Sequence, residues 1–124
     1  MEIEEARKTL NSSLQENLIE LEKQKDGAKE VLSLIKRGGI LAQKDMESQR
    51  LKNASEVFIE SLDKIEEKLK KAMEETDLGK SSLASIEISY IQIILGNDYK
   101  HSLERARKCG LYKRLATFIC LEEE

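Results

Sequence analysis

The chain has 124 residues, with 21 Lys+Arg against 24 Asp+Glu, a formal charge of −3, one His, two Cys and neither Pro nor Trp. That length fits one domain, and 40% hydrophobic against 36% charged residues supports a modest core if the aliphatic side chains gather on one face of each element. Two thiols make a disulfide scaffold implausible and point to a reducing cytoplasm, no apolar run approaches the ~20 residues of a membrane span, and the acidic start at Glu2, Glu4 and Glu5 is unlike a secretory leader.

Without proline, glycine marks the boundaries of elements, often after a Lys or Arg, as helix C-termini prefer. In the first stretch Leu14, Leu18, Leu21, Ala28, Leu32 and Ile35 recur at three and four residues, with Lys25 in the one missing step and with Ile3 and Leu10 extending the row. This periodicity predicts one helix over about 2–36, with a possible bend at Gly27. After Gly38-Gly39 the row Leu51, Ala54, Phe58, Leu62, Ile65, Leu69 and Ala72 predicts a second helix over about 40–76. It is supported by Glu60/Lys64, Glu66/Lys70 and Glu67/Lys71 at four-residue spacing with the Glu N-terminal. Two helices of ~35 residues rise ~50 Å each, and a two-glycine turn folds them into an antiparallel hairpin.

The stretch 82–95 reads two ways. Ile86, Ile88, Tyr90, Gln92 and Ile94 alternate as in a strand, whereas Ala84, Ile88, Ile91 and Leu95 form a helical row. No other segment offers a strand partner, and a lone strand leaves its backbone groups unpaired, so a helix capped by Ser81 or Ser82 is expected. A fourth helix over about 98–109 would start at Asn97 or Asp98 and carry Tyr99, Leu103 and Ala106. The set Leu111, Leu115, Phe118 and Ile119 points more than a third of a turn away, which predicts a break near Gly110 and a fifth helix over 111–120. The expected fold is therefore all-α: a single domain with a long helical hairpin (1–78) packed with two or three shorter C-terminal helices (79–124).

One stretch carries a local likeness. Asn97-Asp98-Tyr99-Lys100-His101-Ser102-Leu103, followed by Ala106 and Cys109, is similar to the turn and second helix of a tetratricopeptide-type hairpin, a unit that implies close helix pairing and protein partners. The likeness spans about 25 residues. Upstream, Ile86, Ile88 and Tyr90 do not reproduce the first-helix signature, no proline closes the unit, and an array needs about three repeats.

Convergent chemistry is sparse. His101 follows Asp98 by three residues, as in bundle metal sites, but a di-metal site needs that pair twice with further inward Glu residues. His101, Cys109 and Cys120 offer three zinc donors without Cys-x-x-Cys or paired-His spacing, and the two cysteines read more simply as small buried hydrophobes. Glu60, Asp63 and Glu67 read as a solvated face with ion pairs, and Gly38-Gly39 lacks the strand and the Gly-Lys-Ser/Thr ending of a phosphate loop. A non-enzymatic protein without a cofactor or metal is expected.

Two candidate contact surfaces remain. Three short helices cannot cover a ~50 Å hairpin, so Leu10, Leu14, Leu18, Phe58, Ile65 and Leu69 should leave an apolar stripe open for a second copy or a helical protein partner. The leading expectation is a protein interaction or oligomerisation module, with a homodimer the simplest assembly. The alternative is a small nucleic-acid-associated protein: Lys100, Arg105, Arg107, Lys108, Lys113 and Arg114 give residues 96–121 a net positive charge that could meet phosphates.

Overall fold

The computed structural model describes residues 2–74 and 78–123. Its elements are α1 (Glu2–Arg37), α2 (Gly39–Lys44), α3 (Met46–Glu74), α4 (Leu78–Lys108) and α5 (Leu111–Glu123), and no strand occurs among the described residues. The all-α class and the long helical hairpin stand as the sequence predicts. Two features of the chain path differ from expectation.

The first is the hairpin turn. Gly38-Gly39 does not lead straight into the second long helix; Gly39 takes φ +61, a six-residue helix follows, and the chain turns again at the extended Asp45. Asp45 Oδ2 accepts hydrogen bonds from the Ser48 backbone N–H at 3.0 Å and from the Ser48 hydroxyl at 2.7 Å. That is an N-cap, which satisfies a donor the first turn of α3 otherwise leaves free.

The second difference changes the architecture. The predicted helices 82–95 and 98–109 are one 31-residue helix running through Gly96, so Asn97 and Asp98 are helix interior and form no tetratricopeptide-type turn. A glycine inside a helix costs roughly 1 kcal/mol relative to alanine. Here Gly96 also admits a neighbour: a Cβ added to it would lie 3.3 Å from Nε2 of Gln24 on α1. Gly27 likewise interrupts nothing, since α1 is continuous across it. The expected break at Gly110 is present, with φ +74, a conformation that glycine adopts without steric cost.

With α4 this long the molecule is a three-helix bundle. α3 is the middle helix, packed extensively on both α1 and α4, while α1 and α4 meet each other along fewer residues. α3 runs antiparallel to both. Lys25 reaches Asp63 and Glu66 across one seam, and Phe58 stacks on Tyr99 across the other. α2 and α5 close one end.

Burial overturns the predicted stripe. Leu14, Phe58, Ile65 and Leu69 are core residues and Leu18 is half-buried against the same cluster, so these side chains form the inside of the bundle and leave no open interaction stripe. The physical reason is that α4, at 1.5 Å per residue, spans ~45 Å and covers a length that the two shorter helices expected there could not. The side chains of Leu10, Ala72, Ser81, Ser82, Ala84 and Ile86 lie outside the described residues. A second cluster of Ile35, Ala42, Leu51, Ala106, Leu111 and Leu115 fills the α2/α5 end, and Leu103 packs against both clusters.

Candidate interaction surface

Four side chains define what the bundle leaves uncovered along α4. Its inward row, Ile88, Gln92, Tyr99 and Ala106, is buried. Rotation by 100° per residue then places Tyr90, Ile93 and Ile94 outward, at 66%, 62% and 42% exposure. They occupy positions i, i+3 and i+4, hence one crest about a turn long. Val57 on α3, 61% exposed, is the fourth.

Beside the crest the α3/α4 seam is open. A groove of about 340 Å3 has Ala54, Val57, Phe58, Leu95 and Tyr99 as its apolar lining and Asn53, Asp98 and Ser102 as its polar lining. Its floor is rigid. The rings of Phe58 and Tyr99 stack with centroids 4.4 Å apart and planes 6° apart, and the Tyr99 hydroxyl lies 2.6 Å from the Ser55 hydroxyl, which also lies 2.8 Å from the Leu51 carbonyl it donates to. Burial pushes the Tyr99 phenol above its ordinary pKa. Ile94 stands one turn before Asp98 on the α4 wall, so crest and groove adjoin.

The α1/α3 seam contrasts with this. Lys25, the polar residue in the heptad row of α1, places its ammonium 2.6 Å from Asp63 and 2.7 Å from Glu66. Hydrogen bonds that its ammonium donates to the two carboxylates push the Lys25 pKa up to about 12, and Lys25 holds the Glu66 carboxyl below its usual range. Across the third seam, the buried Gln92 amide donates to the Asn17 carbonyl at 3.5 Å.

The predicted basic residues divide. Lys100, Arg105, Arg107, Lys108 and Lys113 are exposed, whereas Arg114 is half-buried, 3.5 Å from Asp45 Oδ1 and within 3.5 Å of Cys109 Sγ. Arg105 also lines a crevice of about 170 Å3 with Arg50 and Glu47, and Arg50 is paired with that glutamate at 3.2 Å. A further crevice of about 360 Å3 lies among α1, α2 and α3, with Lys36 and Lys52 beside Leu32 and Ile35.

The remaining chemical candidates do not converge. His101 is exposed, 3.8 Å from Glu104. Cys109 and Cys120 are exposed rather than the buried small hydrophobes expected, because Cys109 sits at the α4/α5 corner and Cys120 on the outer side of α5. Among the described residues no group of three or more His, Cys, Asp or Glu is placed to hold a metal ion, and no helix is long and apolar enough to cross a membrane.

The crest had a sequence signal that the stripe argument passed over. Residues 86–95 are apolar on nearly every side, so a helix that buries Ile88, Ile91 and Leu95 must present Tyr90, Ile93 and Ile94 elsewhere. Comparison with known protein families, with curated proteins and with solved structures finds no match.

Proposed function

We propose that this protein is a non-enzymatic helical interaction module that binds another protein chain, a second copy or a helical partner, through the outer face of α4. One observation carries the reading: Tyr90, Ile93 and Ile94 stand exposed side by side, next to an open apolar groove, in a bundle that buries its other long apolar rows. Apolar patches that soluble proteins leave open commonly mark contact sites, and amphipathic helices seat in grooves of this kind. A reducing cytoplasm suits a chain whose two thiols are both exposed and unpaired.

A photo-crosslinking amino acid at position 93, installed in the cell of origin, tests the reading. A discrete adduct from position 93 and none from the exposed polar position 29 is the expected result. No adduct from position 93 would overturn it.

A second reading rests on the basic end. Lys100, Arg105, Arg107, Lys108 and Lys113 are exposed, and no carboxylate lies within ion-pair distance of them among the described residues, which suits contact with nucleic-acid phosphates. Binding that is tight at low salt and falls steeply as salt rises would support it, and no binding at low salt would remove it.

A further inference from the structure

We infer that the crevice among α1, α2 and α3 binds an amphipathic monoanion, an aliphatic carboxylate of about eight carbon atoms. The site is separate from the α4 face and stands without the interaction reading above. Its apolar wall comes first. Leu32 belongs to the periodic row of α1 whose members Leu14, Leu21, Ala28 and Ile35 are buried, yet Leu32 is only half-buried and lines the crevice together with Ile35.

The same seam is closed elsewhere. Two turns earlier on α1, Lys25 bridges to Asp63 and Glu66 on α3. At the level of Leu32 no such bridge forms: α3 presents Gln49, Lys52 and Glu56 in one polar row at i, i+3 and i+7, and α2 supplies a third wall through Gly39 and Gln43. That wall exists because α2 is inserted between the long helices. A direct two-residue turn would have none.

Charge selects the head group. Lys36 and Lys52 line the crevice against one carboxylate, Glu56. Lys52 lies 4.0 Å from Glu56, and no carboxylate among the described residues lies within ion-pair distance of Lys36. Two cations against one anion leave a positive charge that an anionic head beside Lys36 would balance, through the charge-assisted hydrogen bonds an ammonium donates to a carboxylate. A cationic head would meet like charges there. The Gln49 amide already donates to the Ala42 carbonyl at 3.3 Å, which leaves Lys36, Lys52 and the exposed Gln43 as donors.

Volume sets the body. The crevice measures about 360 Å3. A cavity of about 150 Å3 encloses benzene, so this one takes a body of roughly ten non-hydrogen atoms, the size of octanoate. Its rim is open to water, and the expected Kd is on the order of 100 µM.

Amide chemical shifts of the isotope-labelled full chain test this, with octanoate, octylammonium and acetate as probes at equal ionic strength. Octanoate should give saturable shifts centred on residues 32–39 and 49–56. Octylammonium should bind about ten-fold more weakly or worse, and acetate, which lacks the apolar body, should not saturate below ~10 mM. Lys36→Met keeps an unbranched apolar stem and removes the charge, so it should raise the octanoate Kd by about five-fold or more. Its helical circular dichroism should be unchanged, because Lys36 is exposed. Lys36→Arg should stay within about two-fold of wild type, and Glu56→Gln, which removes the opposing carboxylate, should lower the Kd by about two-fold.

The absence of saturable octanoate shifts at these residues up to ~5 mM overturns the inference. So does octylammonium binding as tightly as octanoate, or an unchanged Kd in Lys36→Met. Shifts centred on residues 90–99 instead would place octanoate on the α4 face and would also overturn it.

Discussion

The two seams flanking α3 are built from similar residue types and end in different states. On the α1 side the row Leu14, Leu21, Ala28 is fully buried, and its one polar member, Lys25, is neutralised by two carboxylates within 2.7 Å. On the α4 side two hydroxyls and a stacked ring pair hold the helices, and a groove of about 340 Å3 stays open to solvent. A heptad row that fills each step closes its interface. A row that alternates small Ala54 and Ser55 with a large aromatic ring leaves space, and the space adjoins the Ile94 edge of the exposed crest.

The contrast is open to direct challenge. Leu21→Ala should cost about 3 kcal/mol in a denaturant melt, because a fully enclosed site cannot collapse around the missing atoms. Ile91→Ala, at a half-buried position in the α4 seam, should cost about half as much, and equal costs would remove the distinction.

Lys25→Ala should come next, at about 2 kcal/mol, since it leaves Glu66 with Lys70 alone at 3.3 Å. The pH dependence follows from the two shifts. Glu66 is held below its ordinary 4.5, so its contribution is complete above that value and is lost as pH falls through the lowered one. Lys25 is raised to about 12, so its contribution is present below 10.5 and disappears as pH rises through 12. Thermal melts across pH should show both limbs in the wild type, whereas in Lys25→Ala the alkaline limb should vanish and the acid limb should shrink to the part that Lys70 supports.

Adding bulk should separate the seams in the opposite sense. Ala28→Leu, in the enclosed row, should destabilise by about 2 kcal/mol through overpacking, whereas Ala54→Leu has the groove to enter and should stay within about 0.5 kcal/mol. Comparable losses at both positions would show that the groove is not usable space. Among the destabilising changes the smallest effect expected is that of Tyr99→Phe, about 1 kcal/mol from one lost buried hydrogen bond with the ring stack retained; a calorimetric scan should show a lowered Tm with little change in cooperativity.

The long helices and the corner at Gly110 were legible because periodicity over many residues and a glycine that takes positive φ are both local signals. Lys25 was legible as a gap in a row, although nothing local identified Asp63 and Glu66 as the pair that fills it. Gly96 misled for a physical reason: its helix-breaking tendency of roughly 1 kcal/mol is outweighed by packing on α3 along a helix of 31 residues. That single break removed the third long helix from the expected fold and turned buried Leu14, Phe58, Ile65 and Leu69 into an apparent contact stripe. Asp45 was missed because its capping role appears only once the short α2 is in place. The basic residues were placed correctly on the surface except Arg114, whose turn inward depends on Asp45.

Leu103 is the one half-buried aliphatic side chain that touches both core clusters among the described residues, and this bears on how the molecule comes apart. With Leu103 in place the end closed by α2 and α5 and the longer barrel of the bundle should melt together, as a single cooperative unit. Shortened to alanine, the link between two such units is thinned to the backbone of three helices, and amide hydrogens around α5 should begin to exchange ahead of those near Leu62.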